Sequence, residues 1–147
     1  MSINIEELRK AVNGYEPLYD FEPITGRILN LTQHSLTTAQ VEQGGFEPSN
    51  EDKALIAKLL TVEKLISPQQ LLEKALSLLE VASKYEFDYI LVGGMHPLIN
   101  ILAFTSLYAD VETCQAFSKR TVVEEKNMDG TVVKKTVFIH EKFYKFV

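Results

Sequence analysis

Short stretches of the sequence hold residue types that can bind a phosphate or move a proton. The candidate site residues are Thr32, Gln33, His34, Gly93, Gly94, His96, Ser118, Lys119, Arg120 and His140. An imidazole titrates near neutral pH, an arginine fork binds two oxygens of one phosphate, and glycine lets the backbone approach a ligand closely. Together these residue types suit a site for a small phosphorylated ligand.

Each candidate also has a purely structural interpretation. His34 follows a predicted strand, where it can act on a ligand or simply cap the next helix. Gly93-Gly94 before Pro97 predicts either an anion site at a helix N-terminus or only a tight strand-to-helix turn. No dinucleotide-binding or phosphate-loop motif accompanies the two glycines. The sequence leaves both interpretations open, and it leaves those of His96 and His140 open as well.

The sequence predicts no metal site and no reactive thiol. His34, His96 and His140 fit no ligand spacing, and no carboxylate is placed consistently among them. Cys114 is the only cysteine, so no intrachain disulfide can form, and its apolar surroundings favour a buried, inert thiol. We therefore expect no metal, no other cofactor and a reducing, cytoplasmic location.

The elements that must position these residues follow the pattern of an α/β fold. Short apolar runs at residues 28–32, 87–92 and 113–117 predict three strands. Helical spacing predicts helices over 3–12 and 37–43, and further helices beginning near Asn50, Ser67-Pro68 and Pro97. This alternation predicts a mainly parallel sheet, and loops at the carboxyl ends of such strands gather ligands. The three polar stretches fall at those ends.

The chain after residue 117 predicts a C-terminal antiparallel hairpin. Asp129-Gly130 is a typical two-residue hairpin turn. In that register Glu124 faces Lys135, and His140 faces Lys119. The last strand would therefore return its histidine toward the predicted site.

Two segments are predicted along the chain. Residues 1–27 form an N-terminal helix and an extended arm with aromatic side chains, which covers the domain or reaches a second subunit. Residues 28–147 form the ligand-binding domain. No signal peptide or membrane segment is recognised, and the net charge of −5 excludes a general coat for duplex nucleic acid. Residues 119–147 hold seven Lys or Arg against four Asp or Glu, which is compatible with a small anion bound locally.

Separated blocks of the sequence carry a resemblance to a known family. They are Leu29-Asn30-Leu31-Thr32-Gln33-His34 with Leu36-Thr37 and Gln40, then Gly93-Gly94, and the C-terminal segments 118–126, 129–135 and 137–143. These blocks resemble small CRISPR-associated proteins of the ring-nuclease type. The resemblance implies a Rossmann-like three-layer domain, a homodimer, and binding of a cyclic oligoadenylate that the protein can linearise without metal. It implies His34 as leading acid or base, and Arg120 with Gly93 and Gly94 as a phosphate cradle.

Two other function classes remain open from the sequence. A non-catalytic interaction module, encoded on a phage or mobile element, would use the aromatic arm to bind a protein partner. A generic mononucleotide-binding protein would use the same strand ends for AMP or ATP.

Overall fold

The computed structural model describes residues 2–14 and 19–146. These residues form five helices and six strands, numbered here in chain order. The helices are α1 (Ile5–Ala11), α2 (Thr38–Glu42), α3 (Asn50–Leu60), α4 (Pro68–Ala82) and α5 (His96–Tyr108). The strands are β1 (Tyr19–Asp20), β2 (Ile28–Asn30), β3 (Gly45–Phe46), β4 (Tyr89–Leu91), β5 (Thr113–Lys126) and β6 (Val132–Phe146).

All six strands join one curled sheet in the order β1-β6-β5-β4-β2-β3. β3, β2, β4 and β5 run parallel, while β6 lies antiparallel between β5 and β1. The protein is therefore a mixed α/β fold with a mainly parallel sheet and a C-terminal antiparallel hairpin, and this part of the prediction is confirmed. The sequence analysis missed β3, because Gly44-Gly45 there signals only the end of a helix.

The core is divided between the two faces of the sheet. Leu29 and Ile90 are fully buried in a large cluster to which α3, α4 and α5 all contribute. On the opposite face, Ile28 packs in a smaller cluster with Cys114 and Phe143. Because the three long helices share one cluster, they cover one face of the sheet, whereas a doubly wound fold places helices on both faces.

Polar side chains set where the helices begin. Thr37 and Ser67 each cap a helix with the reciprocal hydrogen bonds of a capping box. The sequence predicts the helix start at Ser67 and leaves the other cap open between Thr37 and Thr38. The helix predicted from Asn50 is capped one residue earlier, because the Ser49 hydroxyl accepts the backbone N–H of Asp52 at 3.2 Å.

The third predicted strand and the first arm of the hairpin are one continuous strand, β5. Its first residues pair with β4, and the strand then continues along β6 as far as Lys126. The register shifts between Phe117 and Ser118, where one extra residue of β6 forms a bulge. On the turn side of this bulge His140 faces Ser118, so the predicted pairing of His140 with Lys119 is wrong.

The hairpin turn has three residues, 128–130, instead of the predicted two. The Asp129 carboxylate accepts both the backbone N–H and the hydroxyl of the residue two positions on, and Gly130 adopts a φ of +89°. A left-handed glycine after such a turn is typical of three-residue hairpin loops. The predicted register is therefore wrong by one residue, and Glu124 faces Lys134 instead of Lys135.

The N-terminal arm is described only from residue 19, and residues 15–18 lie outside the described part of the chain. β1 pairs antiparallel with β6, and the Phe21 ring meets the edge of Tyr144 with 5.4 Å between centroids. This end of the arm covers the domain. α1, by contrast, has no buried residue, and the apolar side chains of Ile5, Leu8 and Val12 are half exposed or more. No helix among the described residues has the length and apolar character needed to cross a bilayer.

Candidate functional site

The carboxyl ends of β2, β4 and β5 border a cavity of about 550 Å³. Its walls come from the loop after β2, the turn between β4 and α5, and the base of the β5-β6 hairpin. The predicted site residues in its lining are Thr32, Gln33, His34, Gly93, Gly94 and His96. Two of the three predicted stretches therefore meet where open α/β sheets bind ligands.

The buried side chain of Asn30 shapes the loop that carries His34. Its amide oxygen accepts the backbone N–H and the hydroxyl of Thr32, at 2.9 and 2.7 Å. Its amide nitrogen donates to the backbone carbonyl of His34 at 2.7 Å. These bonds hold the loop in a tight bend, and the His34 side chain remains exposed at the cavity.

Glu47, just after β3, fixes the same loop from its other side. One carboxylate oxygen accepts the backbone N–H of Leu36 at 2.6 Å, and the other lies 2.9 Å from Nζ of Lys53. Burial raises the pKa of Glu47, but hydrogen bonds from Leu36, Lys53 and Asn30 outweigh it and hold the pKa below its usual value. Glu47 is therefore an ionised anchor for the loop at neutral pH.

The turn between β4 and α5 supplies the opposite wall. Gly94 has a φ of +134°, a conformation that residues with a side chain rarely adopt. The N-cap of α5, Met95, makes no side-chain hydrogen bond, whereas side chains of Asn4, Thr37, Ser49 and Ser67 cap the other described helices. The first N–H groups of α5 therefore lack a side-chain acceptor at the border of the cavity.

The base of the hairpin contributes residues that the sequence analysis missed. The Tyr144 hydroxyl donates to the Gln115 side-chain oxygen at 2.8 Å, and both residues line the cavity. Gln115 follows Cys114, which pairs with Leu91 in the last parallel pair of β4 and β5. That position is the signal that could have identified Gln115, because it lies at the same strand ends as the predicted residues.

A family model covers most of this architecture. Residues 26–144 match the family described as "Uncharacterized protein MJ1673 family". The chain belongs to this family. No curated protein and no solved structure matches the chain. Every residue that lines the cavity lies within the region matched by the MJ1673 family, and α1 lies outside it.

In this member of the MJ1673 family, Ser118, Lys119 and Arg120 are not among the residues that line the cavity. They lie on the hairpin opposite His140, Ile139 and Phe138. Because β5 continues as a paired strand beyond Cys114, six residues of extended chain place Arg120 up to about 20 Å past the last parallel pair. The expected meeting of Arg120 with His34 and Gly94 is therefore not found in the lining of the cavity.

His140 is buried between the hairpin and α2. Its Nε2 lies 3.0 Å from the side-chain oxygen of Gln43, and its Nδ1 lies 3.4 Å from the side-chain nitrogen of Gln40. Its ring packs against Phe143 with 4.7 Å between centroids, and burial lowers the pKa of the imidazole. Because Gln40 lines the cavity, His140 supports the cavity wall from behind.

The described residues offer no cluster of three or more His, Cys, Asp or Glu side chains that could hold a metal ion. Cys114 is fully buried, and burial raises the pKa of its thiol to about 12. A thiol with such a pKa is not ionised at neutral pH, so Cys114 serves as a small core residue.

Proposed function

We propose that the protein binds a small phosphorylated ligand in this cavity, with a cyclic oligoadenylate as the leading candidate. One observation carries the proposal: exposed His34 and His96 line the same cavity as Gly93, Gly94 and the uncapped N-terminus of α5. Backbone N–H groups at the start of a helix and imidazole N–H groups are both donors to phosphate oxygens.

The described lining of the cavity is uncharged, which favours an anion held by neutral hydrogen-bond donors. Within the described chain, its lining includes no Asp or Glu that would repel a phosphate, and no Lys or Arg. Binding would then depend on hydrogen bonds and the helix dipole, and only weakly on salt. Because Arg120 is not part of the lining, the proposal assigns it no phosphate contact in this cavity.

The volume of the cavity is suitable for one nucleotide. Pockets for small molecules and cofactors measure roughly 300–1,000 Å³, and this cavity falls inside that range. A cyclic oligoadenylate would place one of its nucleotides here and leave the rest of the ring outside. A free mononucleotide is the second candidate that this size favours.

Cleavage of the bound ring is the second step of the proposal. The ribose 2′-oxygen attacks the adjacent phosphorus as a base removes its proton, and the bond from phosphorus to the 5′-oxygen breaks. The leaving 5′-oxygen takes a proton, so the products are a 5′-hydroxyl and a 2′,3′-cyclic phosphate. His34 and His96 are the imidazoles available to serve as base and acid, and no metal is required.

Three finer assignments belong to the same proposal. The parallel order of β3, β2, β4 and β5 favours a Rossmann-like origin, although the position of the long helices does not favour three layers. A cytoplasmic location fits the lone, buried thiol of Cys114. A homodimer is argued separately below.

Calorimetric titration with cyclic tetra-adenylate, cyclic hexa-adenylate and AMP, each in EDTA, tests the proposal. We expect at least one of them to bind the wild-type protein, and His34→Ala to weaken its binding by about tenfold through loss of a hydrogen bond to a charged group. Met128→Ala in the fully exposed hairpin turn is the matched control and should bind as wild type. Arg120→Ala should also retain binding, because Arg120 lies outside the cavity.

Chromatography of the same mixtures shows whether cleavage follows. A linear product with a 2′,3′-cyclic phosphate supports turnover, and binding of AMP alone supports the mononucleotide candidate. The proposal is overturned if folded wild-type protein binds none of the three ligands. It is also overturned if Arg120→Ala abolishes binding while His34→Ala does not.

A further inference from the structure

The outer part of the β5-β6 hairpin is a two-stranded ribbon with one mainly apolar face. Residues paired across an antiparallel ladder lie on the same face, and alternate pairs share it. On one face every pair from Phe117 to Glu125 includes an apolar residue. We call these apolar residues the hairpin stripe: Phe117, Val123, Val133, Val137 and Ile139.

The hairpin stripe is poorly covered by its own chain. Ile139 is 54% exposed, Phe117 49% and Val133 48%. A two-stranded ribbon is marginally stable in water unless a further element covers its apolar face. Exposed β-branched and aromatic side chains in a paired ribbon therefore indicate a surface that binds another element.

The whole chain exposes more surface than a compact monomer of its mass. The chain exposes 10452 Å². A compact monomer of 16.6 kDa exposes about 7,600 Å² by the usual scaling with mass. The excess of about 2,900 Å² is larger than the roughly 800 Å² that each partner buries in a standard interface.

We propose that a second copy of this chain covers the hairpin stripe, with the two ribbons packed antiparallel around a two-fold axis. The axis lies at the level of the Val122 and Thr136 pair. Ile139 of one protomer then meets Val133 of its partner, because both lie three residues from Thr136. This proposal does not depend on the ligand of the cavity.

The charges on the same face fit this symmetry. Lys119 and Glu125 lie three residues on either side of Val122, so the two-fold axis places Lys119 of each protomer opposite Glu125 of the other. A two-fold interface must be self-complementary, and opposite charges at mirrored positions satisfy that requirement. On this face Glu125 also lies 4.0 Å from Lys135 of its own chain. The other face of the ribbon is less suited, because its Glu124 and Lys134 pair includes no apolar residue.

Sedimentation velocity of the full chain, from about 1 to 100 µM, tests the interface. We expect wild type to be a dimer. Ile139→Asp should raise the dimer dissociation constant about a hundredfold, because each dimer buries the substitution twice. The matched control is Phe138→Asp, which places the same charge on the opposite face at a side chain that is 70% exposed and should leave the dimer intact.

A charge exchange identifies the register of the interface. Lys119→Glu and Glu125→Lys should each weaken the dimer, and the double variant should restore it. Circular dichroism checks that every variant is folded. A monomeric wild type at the highest concentration overturns the proposal. So does a dimer broken by Phe138→Asp but not by Ile139→Asp, and so does a double variant no tighter than either single one.

Discussion

The inner strands β2 and β4 and the outer part of the hairpin are all rich in apolar residues, yet their burial differs completely. Ile28, Leu29 and Ile90 are 0% exposed, whereas Val122 is 58% and Phe138 is 70% exposed. The difference lies in what covers each strand, because α3, α4 and α5 pack on the inner strands and no described helix packs on the outer hairpin in this way. The same strand-forming residues therefore build a core in one region and a surface in the other.

The two regions also use polar residues differently. Asn30 at the end of β2 is 1% exposed and bonds to Thr32 and His34 in one loop and to Glu47 in another, so it shapes the cavity. Asn127 beside the hairpin turn is exposed, and its side chain bonds to the near neighbour Thr131. The shape of the cavity therefore rests on buried polar contacts, whereas the polar residues of the hairpin turn are exposed to solvent.

The largest expected effect comes from removing buried volume from an inner strand. Leu29→Ala should lower the free energy of unfolding by about 3 kcal/mol, because a fully buried leucine leaves a cavity that its neighbours cannot fill. Val122→Ala in the hairpin should change it by less than about 0.5 kcal/mol. Urea denaturation of both variants measures the contrast. Equal losses in the two would show that the hairpin is as well packed as the core.

A smaller effect is expected from the polar anchor of the cavity. Asn30→Ala should cost about 2 kcal/mol, because it leaves the N–H of Thr32 without its acceptor and removes one donor from the carboxylate of Glu47. Asn127→Ala, the matched substitution in the hairpin turn, should cost much less. Urea denaturation gives the stability. Faster amide hydrogen exchange in residues 32–36 should accompany only the first variant, and unchanged exchange there would contradict the role of Asn30.

The sequence predicts the loop positions of the site better than the hairpin positions. His34, Gly93, Gly94 and His96 follow strands whose ends are marked by the change from apolar residues to glycine or polar residues. Arg120 lies in a strand that has no such mark, since alternating residues continue from β5 into the hairpin. The predicted strand therefore ends where the structure shows that β5 continues. For this reason Arg120 was wrongly expected in the site.

The remaining features that were not predicted depend either on contacts between distant segments or on a local side-chain hydrogen bond. Glu47 looks like an ordinary loop residue, and only the pairing of β3 with β2 brings it to Leu36. The turn at Asp129 depended on a side-chain bond to Thr131 that competes with the two-residue turn. Helix starts at Thr37 and Ser67, by contrast, depend on residues within one turn, and the sequence predicted both.

The smallest expected effect concerns His140, where the hairpin meets the inner region. Its contacts to Gln43 and Gln40 fit the neutral ring with its proton on Nε2, and burial lowers its pKa below the ordinary value of 6.5. The unfolded chain therefore binds this proton more readily than the folded one. Stability from His140 is complete above about pH 6.5 and is lost as the pH falls through the folded pKa.

Urea denaturation of wild type and His140→Gln at about pH 5.5, 6, 7 and 8 isolates this contribution, because Glu47 and Asp52, whose pKa values are lowered, lose their stabilisation only at more acidic pH. Wild type should gain stability between about pH 5.5 and 7, and the variant should gain less over the same interval. Between pH 7 and 8, His140 should no longer make the free energy of unfolding of wild type depend on pH differently from that of the variant. If the two proteins have the same slope, the contact between the hairpin and α2 does not depend on a neutral imidazole.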